Sequence, residues 1–290
     1  MLERERKREE EREEEREEER GRERIAVAVA AQATAMQVAG VGCCPTAPAS
    51  GRLLVLRSLW VSDGFGGDGI AELRYRSSMV GGEIDFVLFD LGGVLVRLGG
   101  VVAMQRLAGI ETEEEVWQRW LTCPWVRRFE RGGCGPDEFA AGVVAEWGLP
   151  IDPGGFLTQF RNWPEALFDG AEELVAKVRS QMPVGCLTNT NVVHWDDQAM
   201  RWGIDEMFDV RFLSHRLGLI KPDRAVFEHV VGALDLPAER IVFFDDNDAN
   251  VQQARAVGVN ALRVRGIRET AEALVSLGAL PSTFVDRLGV

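Results

Sequence analysis

The sequence of 290 residues has neither a surplus of positive charge nor cysteines at the CxxC spacing of a structural metal site. Its formal net charge is −13 at pH 7, which argues against a general nucleic-acid-binding protein because such proteins need basic surface. No CxxC pair occurs among the five cysteines, so a structural zinc site is not expected. Cys186 lies in an apolar strand pattern and is predicted to be a buried thiol, which fits a reducing cytoplasm.

The first eighty residues lack the apolar periodicity of a folded domain. Residues 3–24 are almost entirely Glu, Arg and Lys, a composition that cannot bury a core and predicts a frayed helix or disorder. The Ala- and Val-rich residues 25–42 are interrupted by polar side chains and follow an acidic flank, so neither a secretory signal nor a membrane span is expected. We interpret residues 1–80 as a low-complexity extension. We also hypothesise that the natural start is Met79 and that the gene model is over-extended.

From residue 83 onwards, short apolar runs alternate with helical patterns. The apolar runs predict buried strands at 85–89, 183–187, 210–213, 241–244 and 261–264. Helices are predicted at 171–179, 223–234, 249–257 and 269–277. This alternation predicts an α/β fold with a Rossmann-like, mostly parallel sheet between helical layers, built from residues 81–100 and 166–290.

Residues 101–165 show helical patterns and no convincing strand. Thr112 and the three glutamates after it form a capping-box pattern, and Pro136 predicts a second helix start. An all-helical insertion after the first strand predicts a cap over the carboxyl ends of the strands, where open parallel sheets bind ligands. The insertion is rich in tryptophan; sugars stack on indole faces, but aromatic residues at helical spacing are more typical of a core.

Two of the predicted strands end in residues suited to phosphate chemistry. Asp90 ends the first strand before two glycines; a carboxylate there can attack phosphorus, and the glycines let the backbone approach an anion closely. Thr188 and Asn189 end the second strand. They can hold phosphate oxygens together with the N–H groups of the following helix, or they can simply form its N-cap.

Two further motifs supply charge of both signs. Lys221 precedes Pro222 at the start of a helix, where it can neutralise a transferring phosphoryl group or, alternatively, lie solvated on the surface. Asp245 and Asp246 end an apolar strand. Adjacent buried acids repel each other unless a cation neutralises them, and Mg²⁺ suits such a pair. The alternative is an ordinary acidic turn.

Taken together, these motifs resemble the haloacid dehalogenase superfamily over residues 83–275, in particular its phosphatases with a helical cap. Four stretches are most similar to the glucose-1-phosphate phosphatase branch: Leu-Gly-Gly after Asp90, Thr-Asn-Thr-Asn from Thr188, Phe-Phe-Asp-Asp-Asn from Phe243, and Phe-Glu-Arg-Gly from Phe129. The resemblance implies a Mg²⁺-dependent phosphatase that hydrolyses a small phosphate monoester, in particular a sugar phosphate, through an aspartyl phosphate. It implies a cytoplasmic monomer or homodimer that acts on a small phosphorylated metabolite and binds neither nucleic acid nor membrane.

The resemblance also implies a role for each motif residue. The metal ligands would be Asp90, the backbone carbonyl of Gly92, Asp246 and, beside it, Asp245. Asp90 would also be the nucleophile, Thr188 and Asn189 would bind phosphate, and Lys221 would stabilise charge.

The position of Gly92 leaves one role unfilled. Most of these phosphatases carry a second Asp there as general acid and base, so the proton donor is unassigned. His194 lies just after the second motif. It is predicted either to reach the substrate and supply the missing proton, or to be an ordinary residue in the first turn of a helix.

Two rival functions share the same fold. A 2-haloacid dehalogenase also uses an Asp nucleophile without the second Asp, but the Asp245–Asp246 pair argues against that branch. A non-catalytic binding or regulatory protein is the second rival. The presence of all four motif residues argues against a loss of chemistry: Asp90, Thr188, Lys221 and Asp246.

Overall fold

A computed structural model of the chain describes residues 84–287. The predictions made for residues 1–80, including the start at Met79, lie outside the described residues. Among the described residues, no helix combines the length and the apolar character that crossing a bilayer requires.

A parallel sheet forms the centre of the described part of the chain. In chain order the strands are β1 (Phe86–Phe89), β2 (Val96–Leu98), β3 (Pro164–Leu167), β4 (Val184–Thr188), β5 (Val210–Leu213), β6 (Ile241–Asp245) and β7 (Asn260–Arg263). The central sheet has the order β5-β4-β1-β6-β7, and every neighbouring pair is parallel. The predicted α/β fold with a parallel, Rossmann-like sheet is confirmed, and the carboxyl ends of these strands share one edge.

Helices cover the sheet and fill the interval between β2 and β3. In chain order they are α1 (Gly100–Ala108), α2 (Glu113–Thr122), α3 (Pro124–Glu130), α4 (Pro136–Trp147), α5 (Pro153–Arg161), α6 (Ala171–Arg179), α7 (Val192–Trp202), α8 (Ser214–Leu217), α9 (Arg224–Leu234), α10 (Asp248–Ala256), α11 (Gly266–Ser276) and α12 (Thr283–Arg287). Short 3₁₀ turns lie at Ile204–Met207 and Ala238–Arg240.

Both faces of the central sheet are buried. Alternate side chains of β1 enter different hydrophobic clusters: Val87 and Phe89 pack on one face, and Phe86 and Leu88 pack on the other. A strand buried on both faces has no polar side to show to water, which explains its continuous apolar sequence. Cys186 on β4 is fully buried, as predicted.

The helices α1–α5 form a layer with its own aromatic core. Phe129 stacks on Phe139 with ring centroids 4.3 Å apart, and Trp120 lies 4.7 Å from Trp163. These helices lie between β2 and β3, which pair antiparallel with each other, so the chain leaves the core and returns to it along one two-stranded ribbon. The division into a core and a cap at residues 101 and 165 stays a prediction.

Local sequence signals set the ends of the inserted helices. The hydroxyl oxygen of Thr112 accepts a hydrogen bond from the backbone N–H of Glu115 at 3.3 Å, and Pro136 is the first residue of α4. Both predicted helix starts are therefore confirmed. The ribbon of β2 and β3 was not predicted, because its strands are only three and four residues long and carry partly exposed side chains instead of an apolar run.

Candidate active site

The four sequence motifs meet at the carboxyl edge of the sheet. Asp90 follows β1, Thr188 is the last residue of β4, and Asp245 is the last residue of β6. The strands are parallel neighbours, so these side chains converge although they are far apart in sequence. Lys221 joins them from the loop before α9. Asp90, Thr188, Lys221 and Asp246 line a cavity of about 1040 Å³, to which α2, α3 and α5 also contribute side chains.

Lys221 is the buried cation of this group. Its ammonium nitrogen lies 2.9 Å from Asp90 Oδ1 and 2.7 Å from Asp245 Oδ2, and its side chain is 1% exposed. Burial alone would lower the pKa of Lys221, but the charges of Asp245 and Asp90 outweigh that effect and raise it. Lys221 is therefore charged at neutral pH, and the alternative of a solvated surface lysine is wrong.

Asp90 occupies an environment with excess negative charge. Burial raises the pKa of its carboxyl group to about 7; Lys221 opposes this shift, whereas Asp245 and Asp246 add to it. Asp90 Oδ1 also accepts a hydrogen bond from the backbone N–H of Leu91 at 2.7 Å. A carboxylate nucleophile must be deprotonated, so a further cation near Asp90 would favour its reactive form.

The acidic side chains of the cavity fit such a cation. Carboxylate oxygens of Asp90, Asp245 and Asp246 lie within 4.8 Å of one another. Asp246 forms no ion pair with any described residue, and burial followed by the charge of Asp245 raises its pKa. An unpaired, partly buried carboxylate beside a second one suits a hard divalent cation such as Mg²⁺.

Asp245 differs from its neighbour because its oxygens already have protein partners. They accept hydrogen bonds from the backbone N–H of Asn247 at 2.8 Å and from the Asn250 amide at 2.9 and 3.0 Å, in addition to the contact with Lys221. This geometry makes Asp245 the anchor of the lysine. Its predicted position in the metal ligand set stays a prediction.

The two glycines after Asp90 bring the backbone close to Asp246. Gly93 has a φ of 72°, and a Cβ atom there would lie 2.5 Å from Asp246 Oδ2. Both the positive φ and the close approach require glycine. Gly92 also lines the cavity, as its predicted role as a ligand through the backbone carbonyl requires.

The side chain of Asn189 binds the backbone of Lys221 in the loop before α9, which we call the lysine loop. Its Nδ2 donates to the carbonyl oxygen of Lys221 at 2.9 Å, and its Oδ1 accepts from the backbone N–H of Lys221 at 2.8 Å. Its backbone N–H and the second hydrogen of Nδ2 are the donors that remain for a contact with phosphate. The cap of α7 is made instead by Asn191, whose Oδ1 accepts from the backbone N–H of His194. The N-cap alternative is therefore wrong for both Thr188 and Asn189. Thr188 lines the cavity.

His194 links α7 to α5. Its Nε2 donates to the carbonyl oxygen of Phe160 at 2.7 Å, and its ring stacks on the Phe160 ring at 4.0 Å. Burial lowers the pKa of His194 to about 4, so the imidazole is neutral near pH 7. The ring lies in the first turn of α7, which is one of the two predicted alternatives. Its predicted contact with substrate stays a prediction.

Glu130 is a cavity residue without a role predicted from sequence. It ends α3 and lines the same cavity as Asp90 and Lys221. Burial raises the pKa of its carboxyl group to about 7. The available signal was its place in the Phe-Glu-Arg-Gly stretch, but a sequence pattern cannot show which way a helix end faces.

Comparison with known protein families and sequences gives concordant results. A family model for haloacid dehalogenase-like hydrolases matches residues 84–258. The sesquiterpene phosphatase astK of Aspergillus oryzae is 29% identical over 187 residues, which span 61% of this chain and 88% of that protein. A phosphatase of Mycobacterium tuberculosis is 25% identical over 210 residues, 68% of this chain and 97% of that protein.

Solved structures with the same fold include two bacterial proteins. A HAD family enzyme from Bacteroides thetaiotaomicron, in complex with magnesium and inorganic phosphate, has a TM-score of 0.53 and 20% identity, covering 63% of this chain and 94% of that chain. A HAD-like family hydrolase from Porphyromonas gingivalis has a TM-score of 0.56 and 21% identity, covering 67% and 98%. At these identities the likeness shows the shared fold.

Proposed function

Because this chain belongs to the haloacid dehalogenase-like hydrolases, we propose that it is a Mg²⁺-dependent phosphatase of small phosphate monoesters. The observation that carries the proposal is the buried contact of Lys221 with Asp90 and Asp245, beside an Asp246 that has no ion-pair partner among the described residues. The names of the Aspergillus and Mycobacterium relatives, both phosphatases, support the same reaction.

The proposed roles follow from these positions. A carboxylate oxygen of Asp90 attacks phosphorus, the ester P–O bond breaks, and water then hydrolyses the aspartyl phosphate. The hydroxyl of Thr188 and the backbone N–H of Asn189 hold the phosphate oxygens, while Lys221 stabilises the charge that moves onto them.

Asp90, Asp246 and the carbonyl of Gly92 would hold Mg²⁺, with Asp245 anchoring the lysine beside them. When bound, the ion would neutralise charge on phosphate oxygens. We further propose that the α1–α5 layer is a cap that excludes bulk water from the cavity.

Two substrate classes deserve direct comparison. The sugar phosphate remains the prediction from the sequence, and indole faces suit sugars. The cavity wall supports a second class, because Leu98, Trp117 and Leu121 are 38, 36 and 38% exposed and all line it. Exposed apolar side chains grouped at a pocket favour a ligand with apolar surface. The Aspergillus relative, named a sesquiterpene phosphatase, supports a phosphate ester of an apolar alcohol.

The test is phosphate release from glucose 1-phosphate and from farnesyl phosphate, each with Mg²⁺ and with EDTA. We expect Mg²⁺-dependent turnover that Asp90→Asn abolishes, whereas Asp169→Asn, a matched change at an exposed position, leaves it intact. Turnover that persists in EDTA or in Asp90→Asn would contradict the proposal. Chloride release from 2-chloropropionate without phosphate release would identify a dehalogenase instead.

The relative rates decide the substrate class. If the apolar wall binds the leaving group, Trp117→Ala lowers kcat/KM for farnesyl phosphate by more than for glucose 1-phosphate. An equal loss on both esters, with glucose 1-phosphate the faster substrate, would favour the sugar phosphate.

A further inference from the structure

The helical layer brings a carboxyl group into the catalytic cavity. Glu130, the last residue of α3, lines the cavity together with Asp90 and Lys221. It is close enough to both for their charges to act on it: Lys221 favours its ionised form and Asp90 disfavours it. Its carboxyl group forms no hydrogen bond or ion pair with any residue of the described part of the chain. None of the roles proposed above uses it.

The segment that carries Glu130 is fastened to the lysine loop. Arg127 and Arg131, on either side of Glu130, both form ion pairs with Asp223, which lies two residues after Lys221; the Arg127 contact measures 3.0 Å. Two arginines that converge on one carboxylate fix the helix end against this loop. The position of Glu130 relative to Lys221 is therefore set by direct contacts between their two segments.

A second contact holds the turn that follows Glu130. Gly132 has a φ of 68°, and a Cβ atom there would lie 2.3 Å from the carbonyl oxygen of His215. Only glycine allows both that backbone conformation and that approach. The turn thus packs against α8 on one side while the arginines bind Asp223 on the other, so the carboxyl group of Glu130 has a defined place at the cavity.

The proposed reaction needs an acid that the other residues do not supply. When the ester P–O bond of an alkyl or sugar phosphate breaks, the leaving oxygen needs a proton. Gly92 carries no side chain to provide one. The Nε2 proton of His194 is bound to the Phe160 carbonyl, and the pKa of His194 is lowered to about 4. Burial raises the pKa of Glu130 to about 7 against the opposing charges of Lys221 and Arg127, and an acid with a pKa near neutrality both gives and takes protons efficiently.

We propose that Glu130 is the general acid and base of this site, an inference that rests on the proposed phosphatase function. As the Asp90–phosphorus bond forms and the ester P–O bond breaks, the carboxylic acid of Glu130 gives its proton to the leaving oxygen. The resulting carboxylate then takes a proton from the water that attacks the aspartyl phosphate. Phosphate leaves the site, and the Asp90 carboxylate and the acid form of Glu130 are both regenerated.

The test compares Glu130→Gln with wild type on esters that differ in their need for a proton. With Mg²⁺ present, we expect kcat for an alkyl or sugar phosphate to fall about 10²–10⁴-fold, and kcat for p-nitrophenyl phosphate, whose leaving group is stable as an anion, to fall less than about tenfold. Glu130→Asp should restore part of the alkyl activity. Glu138→Gln, an exposed glutamate of α4 that pairs with Arg128, is the matched control and should change neither rate.

The pH profile separates catalysis from a structural role. The acid must be protonated, so the wild-type rate on the alkyl ester should fall as pH rises through the pKa of Glu130, and Glu130→Gln should lack that alkaline limb. An equal loss on both esters, or no loss on either, would overturn the role of Glu130 while the phosphatase function stands. A wild type inactive on every ester would overturn the proposed function and this inference together.

Discussion

Replacing Lys221 with methionine tests whether one buried ammonium group holds the acidic site together. Its nitrogen lies 2.9 and 2.7 Å from carboxylate oxygens of Asp90 and Asp245, and Asp245 is fully buried. Methionine keeps most of the apolar stem of lysine and removes the charge, so the variant isolates the electrostatic contribution. Without the cation, buried carboxylates face each other unneutralised.

The expected magnitude follows from these distances. At an effective dielectric constant of about 20, unit charges about 2.8 Å apart attract by about 6 kcal/mol, so two contacts supply about 12 kcal/mol in gross terms. Burying an ammonium group costs several kcal/mol, and measured losses on removing one partner of a buried ion pair are about 3–5 kcal/mol. Because two carboxylates lose the same partner, we expect the free energy of unfolding to fall by the upper part of that range at pH 8 in EDTA.

The loss of stability in Lys221→Met should depend on pH in a definite direction. Burial raises the pKa of Asp90 to about 7 against the opposing charge of Lys221, so Lys221→Met raises that pKa further above the value of about 4 for an unfolded aspartate. Between these values the folded variant binds more protons than the unfolded chain. Wild type shares this excess of bound protons only up to about pH 7. Above that pH the folded variant still binds the Asp90 proton while folded wild type and the unfolded chain do not, so only the stability of the variant continues to fall as pH rises. The loss relative to wild type is therefore smaller at pH 5 than at pH 8.

Urea denaturation followed by tryptophan fluorescence, at pH 5 and pH 8 in EDTA, measures both quantities. Lys177→Met, at a half-buried position on α6, is the control and should change the free energy of unfolding by less than about 0.5 kcal/mol. Added Mg²⁺ should recover part of the stability of Lys221→Met, since a second cation replaces the lost charge. A loss below about 1 kcal/mol at pH 8, or a loss equal at both pH values, would refute the reasoning.

Three further outcomes are expected. Gly93 has a φ of 72°, and the Cβ atom of an alanine there would lie 2.5 Å from Asp246 Oδ2. We therefore expect Gly93→Ala to lower the free energy of unfolding by about 1–2 kcal/mol or more and to weaken the Mg²⁺ activation of phosphate release. Unchanged Mg²⁺ dependence would contradict the close packing of this loop. Burial raises the pKa of the Cys186 thiol to about 12. In the folded protein at pH 8, iodoacetamide should therefore alkylate Cys186 at least about 100-fold more slowly than the half-buried Cys134. Mass spectrometry measures both rates. Thr112→Ala removes the cap of α2 and should cost about 1 kcal/mol in urea denaturation; no loss would show that the hydrogen bond at 3.3 Å contributes nothing.

Much of the site was predictable because its residues end strands. Asp90, Thr188 and Asp245 each close an apolar run, and in a parallel sheet the ends of adjacent strands must converge. The chemical type of each residue then predicts a nucleophile, a phosphate contact and an acidic anchor. Their roles remain predictions, but their proximity is a consequence of strand order that the alternating sequence pattern already implies.

Other features depended on orientation, which no local pattern encodes. From sequence, Asn189 is a candidate phosphate contact and His194 a candidate substrate contact, yet their side-chain hydrogen bonds go to Lys221 and to Phe160. Arginines near the end of an exposed helix are ordinarily solvated. Arg127 instead pairs with Asp223, 96 residues away along the chain.

The fold class, the strand-end motifs and the starts of two inserted helices could be predicted from the order of amino acids alone, because each depends on periodicity or on residues a few positions apart. Three features depend on the packed structure: which acid has no ion-pair partner among the described residues, which histidine proton is already bound, and that Glu130 lines the same cavity as Asp90. Those properties arise from charges and hydrogen bonds between segments distant in sequence. Their strength depends on burial, which exists only once the helical layer has packed against the edge of the sheet.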